Sequence, residues 1–148
     1  MFDGSRLSDL DEILPDLWIG GHPKDVAEFK YVFCLVGRCA YKVASHQTVT
    51  IAPFEDVTEL ELPGDFLHDL AEQVVRCHQR GKTLVHCEHG LNRSALVVGL
   101  ALVKLGYTPT DAVAHLKAVR YFDALNNRTF SDWLMKQDVG SRSRAARD

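Results

Sequence analysis

Apolar residues in this chain fall into short runs separated by polar, glycine-bearing or proline-bearing stretches, and the spacing within each run sets the element it predicts. Residues 17–21 (LWIGG), 31–36 (YVFCLV), 49–54 (VTIAPF) and 83–85 (TLV) are short and nearly continuous in apolar character, as buried strands are. The first of these is the first strand read along the chain. Residues 23–29 predict a short helix or turn after it. Within 63–80, Phe66, Leu67, Leu70, Ala71, Val74 and Val75 recur at helical spacing. Residues 94–104 are apolar all round, which predicts a buried helix, and Gly106 punctuates its end. Thr108, Pro109 and Asp111 supply an N-cap, a first-turn proline and a capping partner for a helix continuing through Val113, Leu116 and Val119. A last helix covers 129–139. Strands alternating with helices predict an α/β fold, a single domain with a mostly parallel central sheet flanked by helices. Residues 1–13 are read as an N-terminal segment, 14–139 as the domain and the polar, aperiodic 140–148 as a flexible tail.

The most informative stretch joins the strand at 83–85 to the helix at 94–104. It reads Val85-His86-Cys87-Glu88-His89-Gly90-Leu91-Asn92-Arg93-Ser94. Five residues between Cys87 and Arg93 suffice to curl the chain so that N–H groups point inward, forming an anion-binding nest backed by the positive end of the helix dipole. Gly90 lets the loop bend at its middle. Glu88, His89, Gly90, Leu91, Asn92 and Arg93 are thus the candidate phosphate-binding residues. A helix N-terminus and a neighbouring cation favour the thiolate, so Cys87 is the candidate nucleophile for phosphorus. Arg93 would grip two equatorial oxygens through its planar fork, a geometry lysine cannot reproduce. Ser94 can donate to the sulfur as it leaves, and His86 can order the loop through hydrogen bonds.

The motif His86-Cys87-x5-Arg93-Ser94 resembles the signature loop of the cysteine-dependent protein tyrosine phosphatases, most closely their small dual-specificity branch. The resemblance runs from about Leu14 to Leu134 and includes Asn127-Arg128-Thr129-Phe130, similar to the closing helix of these domains. It implies hydrolysis of phosphomonoesters through a thiophosphoryl intermediate, with no cofactor and no metal. It also implies a shallow pocket that takes phosphoserine and phosphothreonine besides phosphotyrosine, and a phosphorylated protein as partner. Such chemistry needs a carboxylic acid on a separate loop to protonate the leaving oxygen. Asp56, just past the strand at 49–54, is the candidate, with Glu55 its main rival and Glu59 a solvated charge.

Two loop residues lean elsewhere. His89 and Asn92 together are similar to the loop of RNA 5′-triphosphatase members, which makes an RNA 5′ end the alternative substrate. Against it stand Glu88 and Ser94, where that subgroup carries threonine, and Asp56, since a triphosphate leaves well without an acid. A non-catalytic phospho-binding module is a further alternative, but it typically lacks the nucleophile, the arginine or the acid. The absence of a lysine inside the loop argues against a lipid headgroup.

Composition narrows the classes. The 148 residues are 46% hydrophobic and 25% charged, as in a soluble globular domain, and a net charge of −3 provides no broad field for a long nucleic acid. No apolar run is long enough to span a bilayer, and the first six residues lack a signal-peptide core, so the expected location is cytoplasmic. Four cysteines could pair, yet a thiolate nucleophile suits a reducing compartment. Cys34 and Cys77 read as inert packing. Cys39 is a candidate for a reversible disulfide with Cys87. Cys77, His78, His86, Cys87 and His89 do not read as zinc ligands, because the first pair lies on a helix and His86 and Cys87 project oppositely at a strand end. His22, His46, His68, His78 and His115 read as surface or satisfied histidines, Trp18 and Trp133 as core, and Arg38, Lys42 and Arg120 as solvated charge or substrate contacts.

Overall fold

The computed structural model describes residues 9–55 and 63–138. Five strands, β1 (Leu10–Leu14), β2 (Leu17–Gly20), β3 (Tyr31–Cys34), β4 (Thr48–Ile51) and β5 (Thr83–His86), form one sheet in the order β1-β2-β5-β3-β4. Every pairing is parallel except the β1–β2 hairpin. The four helices among the described residues are α1 (Gly64–His78), α2 (Arg93–Lys104), α3 (Pro109–Val119) and α4 (Arg128–Met135). This is the α/β single-domain architecture that the alternating pattern predicts.

Two elements differ from that pattern. A strand, β1, precedes the one read as first along the chain. Its hairpin turns at Pro15-Asp16, where Asp16 adopts a positive φ of 69° and its N–H donates to the Glu12 carboxylate. Residues 23–29 form a turn, one of the two forms expected there, since Pro23 and the scattered apolar positions Val26 and Phe29 do not build a helical face. The last helix ends at Met135, four residues short of the predicted end, with the Gln137 side-chain amide donating to the Trp133 carbonyl; Val139 lies outside the described residues. Other boundaries agree to within three residues, the largest difference falling at the end of β4, which stops at Ile51 before Pro53. The Thr108 hydroxyl accepts from Asp111 N–H as the capping pattern requires.

Period-two alternation sorts the strands into two faces. Leu17, Ile19, Phe33, Leu35, Val85 and Cys87 join the main core with the apolar stripes of the helices. The opposite face carries Val32 and Leu84 against Val26 and Phe29, with Trp18, Tyr41 and Val49 packed around them. No helix covers this second face among the described residues. Its cover is the two irregular connections that follow β2 and β3, so only the β4-to-β5 crossover uses a helix.

Helix α2 is buried from Ser94 to Lys104, which explains why its sequence is apolar all round. Gly99 permits its close contacts: a Cβ there would lie 2.7 Å from Leu134 Cδ2 and 3.2 Å from Leu116 Cδ1. Lys104, at the negative end of α2, is 2.8 Å from His68 Nδ1 and 3.6 Å from Glu72 Oε2. Burial, reinforced by that ammonium, lowers the His68 pKa, consistent with a neutral ring facing the cation. Trp18 and Trp133 are half-buried at the margins of the two cores. No helix among the described residues is long and apolar enough to cross a membrane.

Candidate active site

Strand β5 is central in the sheet, in register with β2 on one side and β3 on the other, and residues 87–92 leave its carboxyl end to enter α2. Parallel sheets bind ligands at such ends, beside the point where strand order reverses. The path of the loop follows from its backbone hydrogen bonds. The Glu88 carbonyl accepts from His22 N–H at 3.0 Å, His89 from Arg120 Nη2 at 3.3 Å, Gly90 from Arg120 Nε at 3.0 Å, Leu91 from Leu125 N–H at 2.6 Å and Asn92 from Leu96 N–H at 2.8 Å. In a trans peptide the C=O of one residue opposes the N–H of the next. Five successive carbonyls held outward therefore turn the N–H groups of residues 89–93 inward.

Cys87 sits at the floor of this curl. It is buried, its N–H donates to the Gly20 carbonyl, and its Sγ accepts from Gly90 N–H at 3.2 Å. The Ser94 hydroxyl lies 3.3 Å from the same sulfur. Gly90 is required on two counts. Its φ is +75°, and a Cβ would fall 2.2 Å from Arg120 Nη2 and 2.6 Å from the backbone of Gly20 and Gly21. Glu88 and His89 are exposed on the loop's outer turn, so these two residues serve the curl through their backbone.

Arg93 begins α2, and its Nη1 donates to the Phe54 carbonyl at 3.2 Å. Phe54 is fixed in turn by its edge against Phe66 and its ring contact with Phe130. The guanidinium thus lies against the chain two residues before Asp56. Asp56 and Glu59 fall outside the described residues, while Glu55 is exposed. The Asn92 side chain accepts from Asn127 N–H and donates to the Asn126 side chain, both at 2.8 Å, tying the loop to the start of α4.

His86 points to the other face of the sheet, as expected for a residue next to Cys87 in a strand. Its Nδ1 lies 3.3 Å from the Cys87 carbonyl and its Nε2 is 2.6 Å from the Tyr41 hydroxyl. His22 packs edge-on against it at 5.2 Å between ring centroids. Burial lowers the His86 pKa to about 4, opposed by the Cys87 backbone hydrogen bond and aided by His22, so the ring is neutral near pH 7. Burial likewise raises the Tyr41 phenol to about 12.

Two cysteine expectations are corrected. Cys39 is disulfide-bonded to Cys34, with Cα atoms 6.9 Å apart, and Cys87 is a free thiol. Cys34 is therefore not inert packing, and Cys39 does not pair with Cys87. The loop after β3 turns back over its own strand end, on the face away from Cys87, which a spacing of five residues could not disclose.

The sequence also undervalued Arg120. Its side chain is wholly buried, ion-paired to Asp9 and Asp11 at 2.9 Å each, while also donating to the Asp9, His89 and Gly90 oxygens. Nothing in its spacing links it to residues thirty and a hundred positions away; the α3 C-terminus carries it there. Arg120→Met would remove the donor that Arg120 supplies to two loop carbonyls and its ion pairs with Asp9 and Asp11, so we expect a loss of about 3 kcal/mol in denaturant unfolding together with a lowered kcat. Unchanged values of both would show that the loop holds its shape unaided.

A nest of inward N–H groups, a buried cysteine at its floor and an arginine at its rim, set on the central strand of a parallel sheet, define a cysteine-dependent phosphatase. Residues 19–139 match the model of the family described as dual specificity phosphatase, catalytic domain, and the chain belongs to that family. No curated protein sequence matches it. Among solved structures it is similar to a mouse putative dual specificity phosphatase complexed with zinc tungstate, at 21% identity over 92% of this chain and 90% of the other, with a TM-score of 0.74. It is also similar to the human tyrosine phosphatase-like serine/threonine/tyrosine-interacting protein (22% identity, 86% and 93% coverage, TM-score 0.72). A third is the Orf virus tyrosine phosphatase OH1, whose structure is described as having triple substrate specificity (20% identity, 88% and 86% coverage, TM-score 0.66).

Proposed function

We propose that this dual-specificity phosphatase hydrolyses phosphotyrosine and phosphoserine or phosphothreonine in proteins, with Cys87 as nucleophile, Arg93 as the phosphate grip and Asp56 as general acid and base. The observation that carries the reading is the outward locking of the 88–92 carbonyls around the Cys87 sulfur. Cys87 attacks phosphorus, the P–O ester bond breaks, and Asp56 gives its proton to the departing oxygen. Inward N–H groups and the Arg93 fork take up the charge on the equatorial oxygens. Asp56 then removes a proton from water, whose oxygen attacks phosphorus. The S–P bond breaks, Ser94 donates to the leaving sulfur, and inorganic phosphate departs.

The Asn92 amide weighs on the substrate question. It is engaged with Asn126 and Asn127, so it supports a structural tie in place of an RNA contact. A cytoplasmic setting suits a nucleophile that works as a free thiol.

Parallel assays on a phosphotyrosine peptide, a phosphothreonine peptide and 5′-triphosphate RNA test the assignment. Phosphate release from both peptides without added metal, exceeding that from RNA, is the expected outcome. Preferential release from RNA would overturn it.

A further inference from the structure

Beneath the loop, on the face of the sheet opposite the Cys87 thiol, lies a second group of chemically soft side chains. Cys34 and His86 are register partners at the carboxyl ends of β3 and β5. Cross-strand partners in a parallel pair share a face, so both project away from the helices. The returning loop brings Cys39 to the same point, and the two sulfurs and a ring nitrogen of His86 lie within 4.8 Å of one another. Cys34 and His86 are fully buried; Cys39 is partly exposed and provides the way in.

We propose that Cys34, Cys39 and His86 form a redox-gated binding site for zinc, closed while the Cys34–Cys39 disulfide is intact and open once it is reduced. Two thiolates and one imidazole make a donor set that selects zinc over the oxygen-seeking magnesium and calcium ions. The surroundings already resemble the support that such ligands need. His86 Nδ1 lies by the Cys87 carbonyl, the kind of backbone contact that fixes a metal-binding imidazole and leaves Nε2 for the ion. Tyr41, whose hydroxyl now meets Nε2, must yield that nitrogen, and either its oxygen or water can complete a tetrahedron. A Cα separation of 6.9 Å also accommodates two thiolates on one ion.

The chemistry balances with a phosphine reductant. The phosphine takes the oxygen of one water and becomes its oxide, the S–S bond accepts two electrons, and two thiols result. Zinc then binds with release of both thiol protons.

The test uses the full chain carrying Cys87→Ser, which removes the competing active-site thiol. Oxidised and phosphine-reduced samples, freed of reductant, are dialysed against zinc chloride and assayed for bound metal, with cobalt chloride as a spectroscopic substitute. We expect about one zinc per chain after reduction and none before, with cobalt giving the charge-transfer absorption of a thiolate complex. Cys77→Ser added to this background should leave uptake unchanged. Cys39→Ala, at the partly exposed position and checked by circular dichroism for native folding, should reduce affinity at least tenfold; Cys34→Ser with Cys39→Ser should abolish uptake. Equal uptake by the oxidised protein, uptake indifferent to Cys39, or none after confirmed reduction of a folded sample would each overturn the proposal.

Discussion

Cys87→Ser is expected to lower turnover of p-nitrophenyl phosphate by at least about 10³-fold, equivalent to more than about 4 kcal/mol of transition-state stabilisation. A serine hydroxyl at the floor of the nest is a far weaker nucleophile than sulfur. The inward N–H groups and Arg93 are left in place, since the carbonyls that orient the loop are held by His22, Arg120, Leu125 and Leu96 and do not depend on the sulfur. Binding of vanadate or tungstate should therefore persist within a few fold, measured by calorimetry on the same sample. Loss of turnover with retained oxyanion binding separates the nucleophile from the site that presents the phosphate. Full activity in the variant would sink the covalent mechanism.

Asp56→Ala is expected to cost about 10²- to 10⁴-fold on substrates with poor leaving groups and much less on p-nitrophenyl phosphate, whose leaving oxygen scarcely needs a proton. A plot of log kcat against leaving-group pKa should steepen in the variant. The case for Asp56 rests on the anchoring of Phe54, whose carbonyl accepts from Arg93 and whose ring is wedged between Phe66 and Phe130. That contact places Phe54, two residues before Asp56 in the chain, against the Arg93 guanidinium. Glu55→Ala is the paired control. An equal loss on every leaving group for Asp56→Ala, or a leaving-group dependence appearing for Glu55→Ala, would move the acid role.

What the sequence disclosed, and what it hid, divides by the range of the interactions. The strand, loop and helix around Cys87 were legible because the motif is contiguous and its backbone geometry is local. The capping pattern at Thr108 was legible for the same reason. Arg120 was not, because its partners at Asp9, Asp11, His89 and Gly90 meet it only when α3 is laid along the sheet. His22, read as a surface or satisfied histidine, packs on His86 and Tyr41, and that meeting depends on β2 pairing with β5. The Cys34–Cys39 bond required the path of an irregular connection, for which periodicity offers no guide. β1 was passed over because only Ile13 of its residues is fully buried, so its pattern never rose to that of a core strand.

The uneven covering of the sheet bears on how such a chain can diversify. One face is committed to a large interlocked packing in which a single methyl group at Gly99 would collide with Leu134 and crowd Leu116. The other rests on a handful of side chains beneath two connections without regular structure. Substitutions and length changes in those connections meet fewer packing constraints, and each connection begins at a strand end beside the mouth of the reactive loop before returning to the opposite edge of the sheet. Evolution can thus rework the rim that greets a substrate while the machinery beneath stays rigid.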